Sequence, residues 1–278
     1  MSIIVSTYGA PVYVKPGNNI WKVSVGPNIV YDGYDPVFGN NSLTKIKRAC
    51  QNNEIPDTWH IGDEKQITYI YNGDSYTDRI VLVDKNEGRY VYADYNTNYT
   101  HATFMIVPSR ITSYLTGGTT GTTNKKYSAN TTFQTDLSTL ESRYNVTLND
   151  GTNLASLLEE IRIKAMTGSS TATEDVVCKL FIPSCGEMAI ASPTTSNTTA
   201  SYKTGSNLNR FEAFVDRPID TSTYRDNYDY YFGSNVNIWS RDYAGSSNRY
   251  YYYNYPDAGY IRTRTSATTC SDVVCFSW

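Results

Sequence analysis

The sequence predicts an α+β protein, on three observations. Short β-like runs bounded by Gly, Pro and Asn recur through the first 110 residues, helical spacing is confined to 42–51 and 133–161, and a strand run followed by loops and short strands fills the remainder. Residues 1–36 carry runs at Ile3–Val5, Val12–Val14, Trp21–Val25 and Ile29–Tyr31, separated by Pro16-Gly17, Gly26-Pro27 and Gly33, and read as a small β-rich module. Ser42–Gln51 follows as one short helix, with Ser42 as N-cap and Leu43, Ile46 and Ala49 at helical spacing. Pro56 closes this part. Strands are then expected at Lys65–Tyr71, Asp78–Asp84, Arg89–Tyr92 and Ala102–Val107, the first two joined by Asn72-Gly73, a strong hairpin signal.

Residues 112–132 are rich in Thr, Gly, Ser and Asn without periodicity, and read as a surface loop. Phe133, Leu137, Leu140 and Tyr144 form one helical stripe, and Leu154, Leu157, Leu158 and Ile161 a second after the Asn149-Asp150-Gly151 break; both are read as core-facing. Beyond a linker at Thr167–Thr173, Val176–Pro183 is a buried-strand run. Near the end, Tyr250–Tyr255, the turn cluster Pro256–Gly259 and Tyr260–Thr265 make a second hairpin.

Composition narrows the functions. With 24 basic and 27 acidic residues the net charge is −3, which offers no field for a polyanion, so nucleic acid is not an expected partner. No segment has the roughly 20 apolar residues of a membrane span, and the N-terminus lacks a signal-peptide pattern, so no membrane insertion is expected. Two histidines, His60 and His101, far apart, do not make a usual zinc spacing, and no cofactor or metal is expected. Five cysteines, an odd and sparse set, read as buried free thiols.

The aromatic census is lopsided, with 26 Tyr against 8 Phe and 4 Trp, which points to rings that keep one polar edge in contact with water or a partner. Residues 224–260 hold 11 Tyr, 5 Asn, 4 Ser and 3 Gly, the residue set that antibody paratopes favour. After Lys203 there are seven Arg and no Lys, a bias typical of interfaces. In a strand Tyr250, Tyr252 and Asn254 share one face, and the return strand sets Arg262 and Arg264 beside tyrosine rings. The even set is favoured as the outward face because Asn254 is costlier to bury than Tyr255. The expected ligand-binding residues are Arg241, Tyr243, Asn248, Tyr250, Tyr252, Asn254, Asp257, Tyr260, Arg262 and Arg264.

Three segments taken in order, Trp59-His60-Ile61-Gly62-Asp63, Lys179-Leu180-Phe181-Ile182-Pro183-Ser184 and Ile238-Trp239-Ser240-Arg241, resemble an uncharacterised domain family of bacteriophages and Gram-positive gut bacteria, over roughly residues 57–278. Asp242-Tyr243 stands where that family usually has Ser-Pro. The resemblance implies a C-type-lectin-like, formylglycine-generating-enzyme-like domain at 57–278, preceded at 1–56 by a β-rich attachment module with a short helix. The C-terminal part is also similar to the variable proteins of diversity-generating retroelements, which display mutable residues on a C-type-lectin scaffold.

These resemblances imply a non-enzymatic virion protein, made in the bacterial host cytoplasm, in the form of a tail or head fibre or a decoration protein. Its partners would be a bacterial surface receptor or glycan and other virion proteins, with homo-oligomers expected. One alternative is a purely structural role in which the tyrosine surface cements subunits. Another is a copper-dependent oxidase of the sulfatase-activating type, through Cys270 and Cys275, whose thiolates suit Cu(I); a four-residue gap sets them on opposite faces of a regular strand, which argues against it. Calcium-dependent sugar binding is represented only by Tyr255-Pro256-Asp257, half of the necessary pattern, and binding is expected to be metal-independent.

Overall fold

The computed structural model describes residues 22–25, 28–85, 91–92, 102–115, 126–167, 173–184, 187–188, 211–214, 231, 238–243, 250–254, 260–263 and 268–278. They mix helix and sheet, as the sequence predicts. In chain order the elements are β1 (Lys22–Val25), β2 (Asn28–Asp32), α1 (Leu43–Gln51), β3 (Glu64–Tyr71), β4 (Asp74–Lys85), β5 (Val91–Tyr92), β6 (Ala102–Val107), β7 (Thr112–Leu115), α2 (Thr131–Arg143), α3 (Leu154–Leu157), β8 (Ile161–Met166), β9 (Thr173–Cys178), β10 (Ile238–Tyr243), β11 (Tyr250–Asn254), β12 (Tyr260–Thr263), β13 (Thr268–Ser271) and β14 (Val274–Ser277). Four sheets result: β1-β2, β14-β6-β4-β3, β5-β8-β9 and β12-β11-β10-β13-β7.

Local chemistry accounts for the expected elements. Ser42 caps α1 by accepting the Lys45 N–H at 3.3 Å, and Asn130 caps α2 by accepting the Phe133 N–H at 3.2 Å. The apolar stripe of α2, Phe133, Leu137 and Leu140, is buried together with Tyr144 at its end. Asn72 and Gly73 adopt φ of 53° and 88°, the left-handed pair whose twist matches a two-residue hairpin. That turn sets Tyr71 opposite Asp74, Tyr69 opposite Tyr76 and Ile67 opposite Asp78. Strand β6, flanked by β4 and β14, is buried at every residue.

Two expectations are corrected by long-range pairing. The second helical stripe stops at α3, and Leu158 is already extended. Ile161 opens β8, where Ile161, Ile163 and Ala165 are buried while Lys164 is exposed: a period of two with β-branched residues overrides the helical spacing. In the expected 112–132 loop, Thr112–Leu115 forms β7 and pairs with β13, and Tyr127–Ala129 is a 3-10 turn whose Tyr127 ring is buried.

The hydrophobic core of the described residues runs across position 56, where the sequence suggests a boundary. Phe38, Leu43, Ile46, Ala49 and Cys50 are buried in the same cluster as Phe104, Leu154, Phe276 and Trp278. The Phe38 ring lies 5.2 Å from Trp59 and 6.1 Å from Phe104; Phe104 in turn lies 5.3 Å from both Phe276 and Trp278. Polar contacts reinforce the join. Lys47 Nζ donates to the Leu157 carbonyl at 2.8 Å, and Gln51 Nε2 to Glu159 at 2.7 Å. Gly39 fits because a Cβ there would sit 2.8 Å from the Glu64 carbonyl oxygen, so the backbone itself packs onto β3.

Asp150 ties the start of α1 to the turn before α3. Its carboxylate accepts the Leu43 N–H at 3.0 Å, the Thr152 hydroxyl at 2.6 Å and the Thr152 N–H at 3.1 Å, with Lys65 Nζ at 3.4 Å. Partial burial opposes the charge, but the Thr152 and Leu43 hydrogen bonds and the Lys65 ammonium more than offset it and hold the carboxyl below its ordinary value.

Two outcomes are expected. A chain beginning at residue 57 will show no cooperative unfolding transition, since it lacks five core side chains; a cooperative, native-like melt of that chain would restore the boundary. Asp150→Asn will lower stability at pH 7 by about 2 kcal/mol, the worth of hydrogen bonds to a charged group. Because the folded pKa is depressed, this contribution is complete above the unfolded value of about 4 and is lost as pH falls through the folded one, so urea unfolding at pH 3 will show a smaller difference.

Candidate functional site

The C-terminal ribbon stands at one edge of the five-stranded sheet, where β12 is outermost, β11 next and β10 inside them. Its register pairs Tyr252 with Arg262, Asn254 with Tyr260, Tyr251 with Thr263 and Tyr253 with Ile261. On the other side of β11, Tyr252 lies opposite Trp239 and Tyr250 opposite Tyr243. Five expected site residues, Tyr250, Tyr252, Asn254, Tyr260 and Arg262, are therefore brought together on two adjacent strands, with Tyr243 beside them. Asn248, Asp257 and Arg264 lie outside the described residues, as do Cys185 and the Tyr255-Pro256-Asp257 segment.

Strand β10 is buried from Ile238 to Asp242. Its ladder to β11 shifts between Trp239 and Tyr243, and the backbone of the irregular stretch finds other partners: the Arg241 N–H donates to the Pro183 carbonyl at 3.3 Å and the Asp242 N–H to Ser240 Oγ at 3.0 Å. Arg241, expected on the ligand surface, sits in the interior. It is 2% exposed, and its guanidinium meets Glu187 in a bidentate pair at 2.6 and 2.5 Å. Nε donates to the Lys164 carbonyl at 2.7 Å and Nη1 to the Ile182 carbonyl at 3.1 Å, with the Phe181 ring 5.6 Å away. Glu187 in turn accepts the Ser184 N–H at 2.9 Å. This planar fork locks β8, Ile182, Glu187 and β10 together. These contacts make Arg241 an anchor of β10.

A second constellation, on β3, β4 and the end of α2, is one that residue spacing does not reveal. Asp78 is fully buried. Its Oδ2 accepts the Tyr69 and Tyr144 hydroxyls, each at 2.7 Å, and its Oδ1 accepts Arg110 Nε at 2.6 Å. Burial first, then the Asp78 carboxylate, pushes the Tyr69 hydroxyl up to about 12 and that of Tyr144 well above its ordinary value, so both remain proton donors at neutral pH. Arg143 lies over this group, its Cζ 3.9 Å from the Tyr76 ring centre and 5.4 Å from that of Tyr71, and its Nε donates to the Tyr69 hydroxyl at 3.0 Å. Part of the signal is in the turn: counting outward from Asn72-Gly73 places Tyr69 beside Tyr76 on one face. Nothing local shows that Arg110 and Arg143 join them.

Three of the described thiols are held in the protonated form, which is a poor nucleophile. Burial pushes Cys50 and Cys178 up to about 12 and Cys275 well above its ordinary value, which keeps them as thiols. Cys270 and Cys275 do not share one strand: Asp272 and Val273 separate β13 from β14, and the two strands belong to different sheets. Among the described residues no group of three or more His, Cys, Asp or Glu is arranged to hold a metal ion. A shallow polar cleft of about 290 Å³ between α2 and α3 is lined by Ser138, Glu141, Ser142, Asn145, Ala155 and Ser156.

No protein-family model matches the chain, and the searches of curated proteins and of solved structures likewise find no match.

Removing one member of the Arg241–Glu187 pair leaves the other buried and uncompensated. Arg241→Met is expected to cost about 3 to 5 kcal/mol, and Arg241→Met with Glu187→Leu to recover most of that loss, in urea unfolding. Wild-type stability in the single variant, with a loss of ligand binding, would return Arg241 to the recognition surface.

Proposed function

We propose that the chain is a non-enzymatic component of a bacteriophage particle, a tail or head fibre or decoration protein, that binds a bacterial surface receptor or glycan through the β11–β12 ribbon. In this reading the domain is C-type-lectin-like, works as a homo-oligomer docked to other virion proteins, and needs no cofactor. The observation that carries it is the register of the ribbon: Tyr252 is paired with Arg262 and Asn254 with Tyr260 in the two outermost strands of a sheet whose inner strand β10 is buried from Ile238 to Asp242 and clamped.

Physical reasons favour such an edge for recognition. Tyr offers large contact area at a small cost in conformational entropy, Asn adapts its hydrogen bonds, and Arg stacks or forks onto polar groups. A rigid inner strand holds them in place without itself meeting the ligand. The diversity-generating reading adds that substitutions on β11 and β12 would leave the anchoring residues of β10 untouched.

The test is the triple variant Tyr252→Ala, Asn254→Ala, Arg262→Ala. Exposed substitutions cost within about 0.5 kcal/mol each, so the melting temperature is expected to stay within a few degrees. Interface Tyr and Arg cost about 2 kcal/mol or more in binding, so adsorption to host cells is expected to fall by at least about 30-fold. Unchanged adsorption together with loss of particle assembly would instead favour the subunit-cementing role, and unfolding of the variant would show that these three side chains belong to the core.

A further inference from the structure

We propose that Arg143, seated on Tyr76 and Tyr71, is a preorganised receptor for an oxyanion: a carboxylate or phosphate group of a ligand that meets the face of the protein formed by β3, β4 and the end of α2. This site is independent of the β11–β12 ribbon and shares no residue with it.

Asp78 is the buried carboxylate of this cluster, and its acceptor capacity is already used by Tyr69, Tyr144 and Arg110, whose Nη2 also approaches Oδ1 at 2.5 Å. Arg110 therefore balances Asp78, and Arg143 is left as surplus positive charge. Glu141, two residues before Arg143 on α2, is engaged with Lys179 at 2.8 Å. Asp74, opposite Tyr71 across the turn, makes no ion pair with Arg143. Lys47, Arg79, Arg110, Lys179 and Arg241 each have a carboxylate within ion-pair distance. Arg143 has none among the described residues.

Geometry adds the second reason. The guanidinium is held on one edge by the Nε hydrogen bond to Tyr69 and from below by the Tyr76 ring at 3.9 Å. With Nε committed, the two Nη groups have no hydrogen-bond acceptor among the described residues, and a planar fork of this kind matches two coplanar anionic oxygens. Arg143, Tyr71 and Tyr76 are all half-buried, hence reachable from solvent yet partly dried. The side-chain freedom that a surface arginine loses on binding has already been lost here, which favours affinity for a small anion.

A structural role, pinning the end of α2 to the hairpin, would need only the Tyr69 bond and the ring contact. The experiment therefore reads the fork. Inorganic phosphate and glucuronate are titrated separately into the full chain at constant ionic strength, set with chloride, and the arginine Nε–Hε resonances are followed by NMR up to about 20 mM, a range that captures millimolar affinities. A saturable shift of the Arg143 signal is expected, unchanged in Arg79→Gln, whose guanidinium is paired on the same hairpin. Tyr71→Leu, which leaves the Tyr69 bond and the Tyr76 contact intact, is expected to weaken binding severalfold. Arg143→Lys keeps the charge and loses the fork, so its affinity, read on backbone amides of β3 and β4, is expected to fall about tenfold or more. Saturation by glucuronate alone assigns a carboxylate, by phosphate alone a phosphate, and by both the shared fork. A linear, non-saturating shift, or equal affinity in Arg143→Lys, overturns the proposal.

Discussion

The rest of the molecule depends on one aromatic cluster. Phe104, in the middle of β6, receives Phe38 from the segment between β2 and α1, and Phe276 and Trp278 from β14 and the residue after it; the latter two lie 4.8 Å apart. Each ring buries a large apolar area, and each offset or edge contact adds about 0.5 to 1.5 kcal/mol beyond that burial. The indoles keep their polar edges satisfied: Trp59 Nε1 donates to the Asp35 carbonyl and Trp278 Nε1 to that of Leu157, both at 2.9 Å. Because those partners lie before α1 and at the end of α3, the rings also set where α1 and α3 pack. The single core, and with it the union of residues 33–56 with the strands and helices after them, is a consequence of this arrangement.

Around that core the buried charges divide the work. Asp78 with its two tyrosines and Arg110 fixes the β3–β4 hairpin against α2, and the Arg241–Glu187 fork fixes β10 against β8 and Ile182. A buried ion pair adds little net stability over a well-packed apolar pair, yet it penalises every arrangement that leaves one partner alone. Both sites occur where register is otherwise weakly specified: the ladder shift within β10 at one, and the far end of a long hairpin at the other.

The features legible in the sequence are local. Ser42 and Asn72-Gly73 carry their own chemistry, a cap and a left-handed turn, and the α2 stripe needs only the 3.6-residue period; these features occur where the residues say. Ile161 misleads because its place in a helical spacing and its place in an alternating strand overlap, and only pairing with β9 decides between them. Thr112–Leu115 has a polar composition that conceals a strand, since its stability comes from β13, far along the chain. Arg241 misleads for the same reason. Its type and its neighbours resemble an interface, and Glu187, 54 positions away, is what draws it inside. The ribbon's cross-strand pairs can be counted from the residues, whereas the guanidinium over Tyr76 comes from a helix that no local pattern connects to that hairpin.

The manner in which β14 enters the core bears on how the chain is made. Strand β14 pairs with β6, bridges to Phe181 on its other side, and couples Thr103 to Ser277 by a buried hydroxyl contact across 174 positions of sequence. Contacts of such separation carry a large loop-closure cost before they return any stabilisation, and they slow folding. On a ribosome, Phe38 and Phe104 therefore emerge long before the side chains that cover them, and the nascent chain keeps that apolar surface open until residues 274–278 are free of the exit tunnel. Apolar surface thus stays uncovered longer than in a protein of equal size whose core closes hairpin by hairpin.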